Sequence, residues 1–180
     1  MLMHVNAKKI AVAGLLAAFS AVMLVLSSMI ESSSLFFIAA ASFCVGIVIR
    51  EWGVGLGFGF LIASTFVNVI VSPNKFYCMT YAAMGVYLLL SEFLWEKIAA
   101  KECMKNRTLT LWIGKYLIFN VIYVPVLLFF QELIFTKKIT GALWIAVFLA
   151  GQAALLIYDR AYMYFQGVIW RNLKISIEKI

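Results

Sequence analysis

Along the fifth apolar stretch of the chain, Tyr116, Asn120, Tyr123, Leu127 and Gln131 recur at spacings of three and four residues. If each residue of a helix advances 100°, all five fall within a sector of roughly 80°. Most of them are polar or amphipathic, so lipid should not touch that stripe. On the fourth stretch Tyr77, Tyr81 and Met84 share a face, and Asn68 of the third stretch stands at a similar depth. Aromatic walls with a few amide hydrogen bonds are the usual make-up of a small-molecule site. Two readings follow. Asn68, Tyr77, Tyr81, Asn120, Tyr123 and Gln131 line an outward-facing pocket, or the same groups bond across helices, at under about 2 kcal/mol per contact.

Catalytic chemistry finds few parts. His4 is the single histidine and Asp159 the single aspartate, so metal hydrolysis, a histidine-dependent triad and an aspartate dyad all lack members. No Gly-x-Ser-x-Gly element occurs, and the glycine run Gly53, Gly55, Gly57, Gly59 is followed by no Lys-Ser/Thr, so it is not a phosphate loop. Neither an enzyme activity nor a cofactor is expected. Cys44, Cys78 and Cys103 show no metal or redox spacing and are expected to be free thiols.

Charge at membrane depth is costly, which singles out Glu92 and Lys115. Each lies about five residues from the Lys97–Thr108 joint, on adjacent antiparallel helices, so they are expected to pair or to snorkel to the inner interface. Small residues form a second pattern. Ala13, Ala17 and Ala21 stack on one face of the first stretch, either packing inside the protein or docking a separate subunit. The glycines form two overlapping GxxxG pairs, which suit close helix packing.

These residues must be positioned by membrane helices. The 180 residues are 65% hydrophobic and 13% charged, with two prolines and a mean hydropathy of +1.01, a composition that cannot solvate its own surface in water. Apolar stretches at about 10–30, 33–49, 53–72, 77–96, 110–135 and 139–158 meet or approach the roughly 20 residues of a spanning helix. The second is short unless Ser33 and Ser34 join it, but charge supports it. With six spans, Lys8, Lys9, Arg50, Lys97, Lys101, Lys105, Arg107, Arg160, Arg171, Lys174 and Lys179 lie inside, and only Lys75, Lys137 and Lys138 lie outside. Removing it would put the Lys97–Arg107 cluster outside. The expected fold is therefore an all-α membrane protein, a six-helix bundle forming one domain over 1–180, with both termini cytoplasmic and residues 159–180 as an inner tail. The tail either extends the sixth helix or lies on the inner surface.

On this topology the net charge of +7 is a positive-inside bias and not a nucleic-acid footprint. The N-terminal stretch, at about 20 apolar residues, is too long for a cleavable signal and is expected to remain as the first helix. Asn106-Arg107-Thr108 matches a glycosylation acceptor but falls in the most basic joint, where it is a chance match.

Three stretches together resemble the substrate-binding S components of energy-coupling factor (ECF) vitamin transporters. Lys8-Lys9-Ile10-Ala11-Val12-Ala13-Gly14-Leu15-Leu16-Ala17-Ala18-Phe19-Ser20-Ala21 is similar to the family's first helix with its Ala-xxx-Ala motif. The Gly53–Gly59 run, then Asn68, then Phe76–Leu90 are similar to its third and fourth helices, although Asn68 stands where many members carry an acidic residue. The resemblance implies that Ala13, Ala17 and Ala21 dock a transmembrane coupling subunit, that cytoplasmic ATPases supply the energy, and that a vitamin-like molecule is taken up across the cell membrane. The alternative is a non-transporting scaffold or accessory subunit that uses the same small-residue faces to hold partners.

Overall fold

The computed structural model describes residues 2–99, 106–129 and 141–172. Among them the chain is almost entirely helical and has no strand: α1 Leu2–Met29, α2 Ser34–Trp52, α3 Val54–Val71, α4 Lys75–Ala99, α5 Arg107–Phe129 and α6 Gly141–Tyr164. All six are long and apolar enough to cross a membrane. An apolar solvent leaves no alternative partner for backbone N–H and C=O groups, so each segment satisfies them within its own helix.

The joints show what ends each helix. A 3₁₀ turn, Glu31–Ser33, runs straight into α2, which begins at Ser34 and thereby gains the length that its apolar core lacks. Between α2 and α3 there is a single residue, Gly53, at φ +90°. Only glycine takes that conformation at little cost, and its N–H still donates to the Ile49 carbonyl at 2.7 Å. At the next joint Lys75 Nζ donates to the Val69 and Ser72 carbonyls, capping α3, while Asn74 Oδ1 accepts from the Phe76 N–H at 3.0 Å and starts α4. That cap moves the start of α4 two residues upstream of the apolar boundary. Helix α6 does not stop at Asp159. It continues through a π-helical turn, Phe165–Trp170, to residue 172, so the described part of the tail extends the sixth helix.

The chain groups into two compact units, Met1–Leu111 and Trp112–Ile180. In the first, α2 is the central helix: Ala41 to Ile49 are all buried, as expected for a helix that is apolar all round. Leu24, Ile38, Val45, Val48, Leu61, Tyr81 and Leu88 complete this core. Gly57 and Gly85 let its helices approach closely. A Cβ on Gly57 would overlap the Ile49 side chain and lie 3.3 Å from the Ile49 Cα, and one on Gly85 would overlap Leu61 of α3. Gly55 and Gly59 meet nothing within 4 Å, so the packing role expected of the glycine run falls to Gly57.

In the second unit α5 and α6 run antiparallel, as their cross-links show: Lys115 to Asp159, Asn120 to Gln152 and Tyr123 to Val147. Partners on α6 fall in number as those on α5 rise.

Candidate functional site

The interior face of α3 is polar where the rest of the core is apolar. Gly57, Leu61, Ser64 and Asn68 follow one another at helical spacing and are all buried. Ser64 Oγ lies 2.7 Å from Tyr81 Oη on α4, and the Ser20 hydroxyl of α1 and the Cys44 thiol of α2 lie close to the same phenol. Tyr81, fully buried, thus sits where four helices meet. A phenol in an apolar interior needs such a partner, since burying a hydroxyl without one costs a few kcal/mol.

One turn from Ser64, the pattern breaks. Asn68 is 1% exposed, and neither its Nδ2 nor its Oδ1 has a hydrogen-bond partner. The Thr65 hydroxyl, buried three residues earlier, also lacks one. The Asn68 backbone carbonyl, by contrast, accepts from the Ser72 N–H at 2.8 Å and the Cys78 thiol at 3.2 Å. Three polar atoms without partners in one turn of an otherwise satisfied helix are the most unusual chemistry in this unit. Tyr77 lies half-buried on the first turns of α4.

The polar stripe of α5 is arranged differently. Asn120 Nδ2 donates to the Tyr116 carbonyl at 2.8 Å, and its Oδ1 accepts from Gln152 Nε2 of α6 at 2.8 Å. Tyr123 donates to the Val147 carbonyl at 2.9 Å and stacks on Phe119 with ring centroids 4.9 Å apart. Its ring fills the space that a side chain on Gly151 would need. Both residues are therefore engaged in holding α5 to α6. Gln131, the last member of the stripe, lies outside the described residues.

Glu92 and Lys115 each have an ion-pair partner within their own unit. Glu92 Oε1 accepts from Arg50 Nε at 2.8 Å, with Arg50 Nη2 at 2.7 Å, and Lys115 Nζ lies 2.6 Å from Asp159 Oδ1. Helix α2 packs against α4 and brings Arg50 to Glu92; α6, longer than its apolar stretch, carries Asp159 alongside Lys115.

On α1, Ala21 is buried and Ala13 and Ala17 are half-buried, so this stripe lies along the edge of the helix's own packed face. Gly14 and Ala18 point away from that face and are exposed. Cys44 and Cys78 are buried free thiols, as expected; Cys103 lies outside the described residues.

Ser64, Thr65, Gln152, Arg50 and Asp159 were not foreseen as site residues. A signal existed for two of them. Ser64 and Asn68 stand four apart, and Gln152 is the one amide in the sixth apolar stretch. Compared with known proteins, the chain matches no family model, no curated protein and no solved structure.

Proposed function

We propose that this chain is the membrane-embedded binding subunit of an uptake system for a small vitamin-like molecule, energised by a separate transmembrane coupling subunit and cytoplasmic ATPases of the energy-coupling factor kind. The observation that carries this reading is the buried Asn68 amide, with neither donor nor acceptor used, next to the unpartnered Thr65 hydroxyl. An amide with both ends free complements a ligand edge that donates and accepts, as many flat heterocycles and amides do. Tyr77, half-buried, offers aromatic surface on the neighbouring helix α4, while Tyr81 is held in the core by Ser64. With both termini inside the cell, as the Lys and Arg distribution favours, this end of α3 and α4 faces outward.

In this reading the ligand supplies the bonds that Asn68 and Thr65 lack, and so stabilises the closed arrangement of α3 and α4. Only a differential affinity of this kind can shift a conformational equilibrium. Docking on the coupling subunit through the α1 face that carries Ala13 and Ala17 then allows reorientation and release inside. The resemblance of the first, third and fourth helices to that family supports the assignment.

The scaffold reading is favoured by one specific observation, the use of Asn120 and Tyr123 in α5–α6 packing. It requires the polar groups at the outer end of α3 to be bound to nothing. Mass spectrometry of small molecules retained by the protein purified in detergent decides between the two. A retained compound that disappears in Asn68→Leu and persists in Asn120→Leu supports a binding subunit. If the wild type retains nothing, or both variants retain the compound equally, the binding role of Asn68 is refuted.

A further inference from the structure

At the joint between α4 and α5 a cavity of about 260 Å³ is lined by Trp95, Ile98 and Ala99 on one side and Arg107, Thr108 and Leu111 on the other. Both helices are spanning segments, so their shared joint lies at a membrane boundary, whichever side of the membrane it faces. The cavity joins two kinds of surface. Trp95, Ile98 and Leu111 are apolar, while Arg107 brings a permanent positive charge.

Among the described residues, Arg107 is held in place by one end. Its Nη2 donates to the carbonyls of Ala99 at 2.6 Å and Ile98 at 3.4 Å, capping the end of α4. Among the described residues no acceptor meets its Nε or Nη1, and no carboxylate forms an ion pair with it. The guanidinium thus keeps one edge of its fork for another acceptor, a geometry suited to phosphate oxygens. The first turn of α5 contains no acidic residue, and the Thr108 hydroxyl lines the same cavity.

We infer that this cavity binds a phosphate group carried on an apolar body, which in the membrane is the headgroup phosphate of an anionic phospholipid. The charged edge takes the phosphate oxygens, and Trp95, Ile98 and Leu111 take the start of the acyl region. Tryptophan and basic side chains suit this depth, where one end of the ligand is wet and the other apolar. The inference goes beyond the uptake reading and does not rest on it, because no residue of the Asn68 site is involved.

Native mass spectrometry of the full chain in detergent, supplied with equal phosphatidylglycerol and phosphatidylcholine, tests it. The wild type is expected to retain phosphatidylglycerol preferentially. Arg107→Gln should lower that preference about tenfold, the worth of a lost charged hydrogen-bond pair. Arg107→Lys, which keeps the charge but not the fork, should fall between them. Because Arg107 also caps α4, Thr108→Trp provides a second arm: it fills the cavity at an exposed position, leaves the cap in place, and should lower the preference equally. If both Arg107→Gln and Thr108→Trp keep the wild-type preference, the site is refuted. Adding millimolar inorganic phosphate separates the sources. Retention of the lipid supports a lipid site, whereas full displacement assigns the cavity to free phosphate and overturns the lipid assignment.

Discussion

The four-helix unit and the α5–α6 unit hold their helices together by different means. In the first, backbones come close at Gly57 and Gly85 and large side chains interlock around α2, with the Arg50–Glu92 and Ser64–Tyr81 bonds added to that packing. In the second, side-chain bonds carry the contact: an ion pair, an amide pair and a phenol donating to a carbonyl. The two asparagines follow the same division. Asn120 has its donor and acceptor both engaged, whereas Asn68 has neither. An amide whose bonds are made is part of the architecture, and one buried without bonds has a cost that packing alone does not justify. The same residue type, both times within a spanning helix, therefore argues for structure in one unit and for binding in the other.

The largest test of this contrast removes the charge pair of the second unit. Lys115→Met removes the cation beside the buried Asp159 carboxylate, and unfolding in detergent should show a loss of about 3 kcal/mol. The corresponding Arg50→Met change in the first unit should cost less, about 1–2 kcal/mol, because the Arg50 side chain is 40% exposed and the Glu92 left behind is 10% exposed, against 2% for Asp159. Equal losses would mean that the two units do not differ in this respect. Next in size, Gly57→Ala should destabilise by about 2 kcal/mol through overlap with Ile49, while Gly55→Ala and Gly59→Ala should leave the melting temperature unchanged. A neutral Gly57→Ala would remove the case for close backbone packing in the first unit.

The smaller tests bear on the asparagines. Asn120→Leu should cost about 1 kcal/mol, since it breaks the bond to Gln152 and leaves that amide without its partner. Asn68→Leu, of similar volume and with no side-chain bond to lose, should be neutral or slightly stabilising in ligand-free protein. A comparable loss in both variants, measured by thermal unfolding, would show that the Asn68 amide is bonded after all, and the contrast would fail.

Much of the fold is legible in the sequence. The six helices follow from continuous apolar length, and the charged joint before Thr108 separates four helices from two, close to where the units divide at Leu111. Ser34 extends α2, as the shortness of that stretch required. The site was harder to read, because helical spacing reveals which residues share a face but not which helix that face meets. Asn120 and Tyr123 share one stripe, yet that stripe turns toward α6, where Gln152 and Gly151 meet it. Asp159 is hard to place from sequence for a related reason: apolar residues run out there, whereas the helix itself does not. Asn68 was legible as a polar residue out of place, but only the coordinates show that its amide is unmatched.

Gly53 gives the position of Asn68 a mechanical meaning. With one residue between α2 and α3, the third helix is a rigid arm fixed at its base to the most buried helix of the unit. Asn68 lies 15 residues along that arm, or about 22 Å, so a tilt of about 10° at the base moves it by about 4 Å. Near the pivot, Gly57 against Ile49 permits hardly any displacement. Leverage thus makes the far end of α3 the part of this unit where a small angular change opens the largest gap, and that is the end where the unmatched amide sits.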